Sequence, residues 1–128
     1  MFVETIPRNS PEYPPSLNEL TNPPGTIWAI GNLGLLDAPR VAIVGTRRST
    51  AYGERITREL AAALARGGAC VISGMALGID GVAHRAALDA NGRTVAVLGT
   101  GADVAYPRAH LALHREIAER GLTLSALP

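Results

Sequence analysis

The chain has 128 residues, the size of one domain, and 47% of them are hydrophobic, which fills one core and argues against global disorder. No apolar run approaches the roughly 20 residues of a membrane span. Met1 to Ser10 lacks the basic and apolar regions of a secretory signal, so a cytoplasmic protein is the default expectation. The net charge of +1 is unevenly spread: residues 40–66 hold six arginines against two acids, and residues 1–39 hold one against four. All twelve basic residues are arginine, so every cation can hold a phosphate through two donors. The single cysteine, Cys70, lies in the apolar run Ala69-Cys70-Val71-Ile72 and reads as a small core residue. It has no partner for a disulfide or a zinc site.

Residues 1–25 carry six of the prolines and read as an extended lead-in with turns. The rest of the chain, 26–128, reads as one α/β unit. Thr26 to Ile30 is a short strand ended by Gly31-Asn32. Val41 to Val44 is β-branched and apolar and predicts a buried strand closed by Gly45. Ala51 to Arg66 predicts a helix with Thr50 as N-cap and Ile56, Leu60, Ala63 and Leu64 on its apolar face. Gly67-Gly68 ends it. Ala69 to Ile72 is the next strand, Ile79 to Ala90 the next helix, and Thr94 to Leu98 the third strand of the series. Arg108 to Arg120 forms the last helix, and Leu122 to Leu127 the last strand. Alternating apolar strands and helices predict parallel βαβ units with right-handed crossovers. The expected architecture is a Rossmann-like open, mainly parallel sheet with helices on both faces, in three α/β/α layers.

Such sheets bind ligands outside the carboxyl ends of their strands. Three strands here end in glycine-bearing loops: Gly45-Thr46-Arg47-Arg48-Ser49, Ser73-Gly74-Met75-Ala76-Leu77-Gly78 and Gly99-Thr100-Gly101. The topology places all three on one edge. Glycine lets backbone N–H groups approach a ligand, and the following helix N-termini favour an anion, most simply phosphate. Arg47 follows its strand directly and is the best phosphate contact. Arg48 faces solvent as readily as a ligand.

Other constellations are weaker. Asp80 and His84 are four apart and face each other, but Ser73 lacks the G-x-S-x-G elbow of a hydrolase nucleophile. Asp80 is expected to cap its helix or bond loop amides, with His84 packed beside it, and no catalytic residue is assigned. The third loop lacks the full dinucleotide glycine pattern, and no acid follows the strand ending Ile72-Ser73-Gly74, so a nicotinamide cofactor site is not expected. Walker A and HExxH motifs are absent from the sequence. His110 and His114 sit four apart without a third ligand, so packing roles are expected and no metal site or cofactor is assigned.

Taken in order, YPPSLNEL, PPGTIWAIGNLGLL, VAIVGTRRSTAYG, VISGMALGIDGVAHRAAL, GRTVAVLGTGADVAYPRAH and LTLSALP closely resemble the DprA/Smf family, from about residue 11 to 128. The resemblance implies an extended Rossmann-like fold that binds and protects single-stranded DNA in natural transformation. It also implies homodimers that help load a RecA-type recombinase, with no catalysis required. Gly45-Thr46-Arg47 matches the G-[ST]-R element of the family's DNA-phosphate pocket, and Ser73-Gly74 and Gly99-Thr100-Gly101 match loops that line it. Single-strand binding combines a basic groove with stacking platforms. The aromatics nearest the loops are Tyr52 and Tyr106, both expected to pack.

Two departures stand out. Leu77 occupies a position where the family usually carries a Lys or Arg, which removes a phosphate contact. The family's later F-P-x-R-N-R segment and final strands lie beyond Pro128, so the chain is expected to be either a fragment or a minimal variant. These departures sustain an alternative reading: a sensor of small nucleotides or nucleotide-derived signals, as in related DprA/LOG-like domains. The P-G-G-x-G-T-x-x-E motif of the related phosphoribohydrolases does not occur.

Overall fold

The computed structural model describes residues 2–128. Six strands run in the order of their labels: β1 (Glu4–Pro7), β2 (Thr26–Gly31), β3 (Arg40–Ala42), β4 (Cys70–Ser73), β5 (Thr94–Leu98) and β6 (Leu122–Ser125). Three α-helices separate the last four: α1 (Ala51–Arg66), α2 (Ile79–Asp89) and α3 (Leu111–Arg120). The sheet order is β1-β2-β6-β5-β4-β3. β3 to β6 are parallel neighbours, and β2 and β1 join antiparallel beyond β6. The Pro-rich N-terminal segment therefore supplies an edge strand of the sheet, through the pairing of Thr5 with Trp28.

Each right-handed crossover steps one strand along, so α1, α2 and α3 lie side by side on one face. The opposite face is covered by two 3₁₀ turns, Pro15–Glu19 and Leu33–Asp37. The result is three layers. On the 3₁₀ side Ile6, Ile27, Cys70, Val95, Leu122 and Leu124 pack against Tyr13 and Leu35. Each large apolar side chain removed from water there contributes about 1.5–3 kcal/mol. Burial pushes the Cys70 thiol pKa up, as suits an inert core residue. On the helical side Met75, Leu88, Ala96, Leu98, Leu113 and Ile117 form a second cluster.

The helix α1 occupies its expected span, and Thr50 caps it by accepting from the Gly53 N–H at 3.0 Å. Its buried face differs from the amphipathic reading. Thr57, Ala61 and Ala65 are buried, whereas Ile56 is 39% and Leu60 50% exposed. The reason is close helix packing: Ala61 and Ala65 meet Ala83, Ala86 and Ala87 of α2, and only small side chains fit between the backbones. Of the larger residues on the expected face, Leu64 packs against this cluster, whereas Ile56 and Leu60 are left exposed. The strand expected over Val41–Val44 is also corrected. β3 runs Arg40–Ala42, forms a sheet edge, and leaves Val44 73% exposed because no strand pairs on its outer side. The last helix begins as a 3₁₀ turn, Arg108–His110, before α3. Arg85 of α2 grips Glu116 of α3 with two hydrogen bonds of 2.9 and 2.8 Å, which holds the Glu116 carboxyl at about 2.

His84 is fully buried in α2. Its Nδ1 faces Thr94 Oγ1 at 2.7 Å, and that hydroxyl donates to the Val71 carbonyl, so Nδ1 carries the proton. Nε2 has no partner. Burial, with a smaller contribution from His110, lowers the His84 pKa from 6.5 to about 4.

Two predictions follow from this packing. The unfolded chain binds a proton at His84 below about pH 6.5 and the folded chain only near pH 4, so stability is full above 6.5 and falls between those values. The expected loss by pH 4 is about 3 kcal/mol, read by urea denaturation across pH, and His84→Asn should flatten that part of the profile. On α1, Ala61→Leu should destabilise by about 1–3 kcal/mol through overpacking. Leu60→Ala should stay within about 1 kcal/mol, the reverse of what the sequence pattern implies.

Candidate functional site

The carboxyl ends of β3, β4 and β5 bring the three glycine-bearing loops to one edge, as the topology requires. Their junction is held by Asp80, a 7% exposed residue in the first turn of α2. Its Oδ1 accepts from the Gly45 N–H and its Oδ2 from the Gly74 N–H, each at 3.2 Å. The carboxylate so ties the first loop to the second and satisfies the positive end of α2. This is the amide-bonding role expected of Asp80. Those two amides and that helix end are thereby committed within the protein, so α2 offers less to an external anion than the loop pattern implies.

The remaining loop contacts are also internal braces. Ser73, 2% exposed, donates its hydroxyl to the Ile43 carbonyl at 2.5 Å. Thr46 Oγ1 accepts from the Arg48 N–H at 3.1 Å, and Ser49 donates to Glu54 at 2.6 Å. Gly78 adopts φ +78°, and a Cβ there would meet the Thr46 carbonyl at 2.3 Å, so only glycine lets the second loop pass under the first. Gly101 is buried, and a Cβ on it would meet the Pro128 carbonyl oxygen at 2.8 Å. Thr100 donates to the Val104 carbonyl at 3.2 Å. Gly99 has open space where a Cβ would lie.

Of the residues singled out in the sequence, Arg47, Gly74, Gly99 and Thr100 line a common cavity of about 300 Å³. Arg47 and Arg48 are both exposed, and only Arg47 borders the cavity. Gly45, Thr46, Ser49, Ser73 and Gly101 build the loops around it. The sequence reading named Leu77 and Tyr106 separately but did not join them; with Leu98 and Pro107 they supply the apolar wall of the cavity. Tyr106 lies on the segment between β5 and α3, and its neighbour Pro107 was the available signal of a shaped turn. The expectation that Tyr52 and Tyr106 pack is corrected: each is 66% exposed. Tyr52 stands outside the cavity with the Arg55 guanidinium 5.4 Å from its ring centroid.

The histidines have structural roles. His84 bonds Thr94, and the Ser73 hydroxyl is directed at the Ile43 carbonyl and not at the imidazole. His110 Nδ1 contacts the Met75 carbonyl at 2.8 Å, and His114 Nε2 contacts the Ala102 carbonyl at 2.9 Å. Each ring is thereby fixed by a backbone oxygen.

The fold and this loop edge define an α/β domain of Rossmann-like type with a small, half-polar cavity beside an exposed arginine. The sequence model for DNA recombination-mediator protein A matches residues 4–128, and the chain belongs to that family, DprA/Smf. It is 44% identical over 124 residues to protein Smf of Synechocystis, an alignment covering 94% of this chain and 31% of that protein. Among solved structures it is similar to DNA processing protein A of Streptococcus pneumoniae, with TM-score 0.89 and 37% identity over 96% of this chain and 43% of that one. It is likewise similar to DNA processing protein A from Helicobacter pylori, whose structure was described for its single-stranded DNA binding mode. There the TM-score is 0.86 and the identity 37%, over 97% of this chain and 55% of that one. The chain spans 28% to 43% of the length of the curated relatives it matches. Among the described residues, no helix is long and apolar enough to cross a membrane.

Asp80→Ala should destabilise the domain by about 2 kcal/mol, because two backbone donors lose their acceptor. Hydrogen exchange should show the Gly45 and Gly74 amides deprotected ahead of the strands behind them. Unchanged protection at both amides would remove the bridging role.

Proposed function

We propose that this domain binds single-stranded DNA through the edge formed by its three loops, with Arg47 as the principal phosphate contact. The observation that carries the reading is the placement of Arg47: exposed, on the loop that follows β3, and bordering the cavity that the second and third loops share. Its guanidinium offers paired donors to a phosphate at a site where the nearest buried carboxylate, Asp80, already has its oxygens engaged by Gly45 and Gly74. Arg48 adds charge to the same rim. Gly45-Thr46-Arg47-Arg48-Ser49 presents the cations, Ser73-Gly74 and Gly99-Thr100-Gly101 shape the floor, and family membership supports DNA as the polymer. The H. pylori relative, described as binding single-stranded DNA, supports the single-stranded form.

The reading is one of binding without bond-breaking chemistry. Ser73 is buried and turned to a carbonyl, and His84 is buried with a pKa near 4, so neither serves as nucleophile or base at neutral pH. A RecA-type recombinase and a second copy of the chain are the protein partners this reading carries, on the strength of family membership. The alternative of a small-nucleotide sensor draws support from the cavity's modest volume of about 300 Å³ and from Leu77 standing where a further cation would extend a groove.

A fluorescent oligo-dT of a few tens of nucleotides, titrated at two salt concentrations, tests the reading. Affinity should fall with salt, because phosphate contacts release counterions, and Arg47→Ala should weaken binding about tenfold or more. The slope of log affinity against log salt should shrink by roughly 0.7 in that variant. Full affinity in Arg47→Ala would remove the site. Binding of mononucleotides without binding of the oligomer would favour the sensor.

A further inference from the structure

A second cavity lies on the face opposite the helices, between the two 3₁₀ turns that cover the sheet there. It is open to solvent, and its volume of about 510 Å³ is within the range of ligand sites. Tyr13, Pro14, Leu33 and Leu36 give it an apolar floor, and Leu33 and Leu36 are half-buried against the core beneath. Glu12, Asp37 and Arg40 stand exposed on its rim. Arg40 donates to the Leu36 carbonyl at 2.6 Å and is held there. Among the described residues the ion pairs join Arg85 and Arg120 to Asp89 and Glu116 on the helical face, and neither Glu12 nor Asp37 takes part in one. Residues 1–39, which supply every lining residue but Arg40, hold four acids against one arginine. The groove is apolar at its base and acidic around it.

Its walls are also shaped in advance of any ligand. Tyr13 donates its hydroxyl to the Pro24 carbonyl at 2.7 Å, and the Leu17 N–H donates to the Pro14 carbonyl at 3.1 Å. On the other wall, Asn32 Oδ1 accepts from the Gly34 N–H at 2.9 Å. Pro11, Pro14 and Pro15 fix their own φ angles. Such a surface loses little conformational freedom when it binds.

We propose that this groove docks an extended segment of a protein partner, one that carries arginine or lysine beside leucine- or proline-like side chains. The apolar part of such a segment covers Tyr13, Leu33 and Leu36, and its cations meet Glu12 and Asp37. A nucleic-acid backbone is repelled by the same two carboxylates. The groove shares no residue with the cavity beside Arg47, and Arg40 on its rim is at the opposite end of β3 from the loops. Protein and DNA can therefore occupy the domain together, with the partner held on the acidic face.

An array of short synthetic peptides, in which arginine, lysine or glutamate alternates with leucine, proline or serine, tests the docking site. The protein should bind the peptides that combine a cation with leucine or proline, and the glutamate and serine series should stay at background. In solution, the affinity of the best labelled peptide, read by fluorescence anisotropy, should fall with salt. Glu12→Gln combined with Asp37→Asn should weaken it about fivefold. Ser16→Trp, which sets a bulky ring on the groove wall, should abolish it. Thermal melting and oligo-dT binding of both variants should match wild type, and Arg47→Ala should bind the peptide as wild type does. An array with no peptide above background would overturn the docking site. So would peptide binding that is unchanged in both groove variants, or that oligo-dT displaces. Dimers of the peptide-free protein that Ser16→Trp abolishes would give the groove to a second copy and overturn the partner reading.

Discussion

The Asp80 carboxylate, buried in the first turn of α2, accepts hydrogen bonds from the amides of Gly45 and Gly74 and so fixes the loops after β3 and β4 to each other. Those loops are short and glycine-bearing, and Met75 anchors the second of them in the core. Without an acceptor between them, two backbone donors at a partly buried junction would lack partners. The same carboxylate meets the positive end of α2. Its position then decides the electrostatics of the whole edge. An internal anion already occupies the helix terminus, so positive charge on this edge is carried by side chains, Arg47 and Arg48 among them.

Asp80 can occupy that position only because α2 lies close to the sheet and to α1. The contact between α1 and α2 is built from alanines, Ala61 and Ala65 against Ala83, Ala86 and Ala87. Small side chains bring the helix backbones together and set the depth of the first turn of α2 beneath the loops. Behind that turn, His84 and Thr94 join helix to sheet through a buried hydrogen bond, at the cost of an unpartnered Nε2. The packing that carries Asp80 keeps Leu64 against the alanine contact but leaves Ile56 and Leu60 outside it.

A division of labour results along the loop edge. Hydroxyls and glycines that resemble ligand contacts in the sequence act as braces: Ser73 on Ile43, Thr46 on Arg48, Ser49 on Glu54. The groups left facing the cavity are fewer and more varied. They comprise one guanidinium, the open backbone around Gly99, and an apolar wall led by Tyr106 and Leu77.

Much of this was legible in the sequence because it rests on local rules. Strand and helix periods, the Thr50 cap, the glycine stops and the βαβ alternation placed the parallel strands, the three helices and the shared loop edge. Gly45-Thr46-Arg47 after a strand was enough to place Arg47 on that edge, where it borders the cavity. Tertiary structure alone decided the rest. Amphipathic periodicity names Ile56 and Leu60 as core, but it cannot weigh the gain from tight alanine packing against the gain from burying larger side chains. Strand composition marks Val41 to Val44 as apolar, but which strand ends at a sheet edge depends on the order of pairing. The apolar wall comes from Leu77 and Tyr106, which lie on different loops, and no spacing rule links them. Short-range propensities act through neighbours in sequence, whereas burial and cavity walls depend on which surfaces the folded chain brings together.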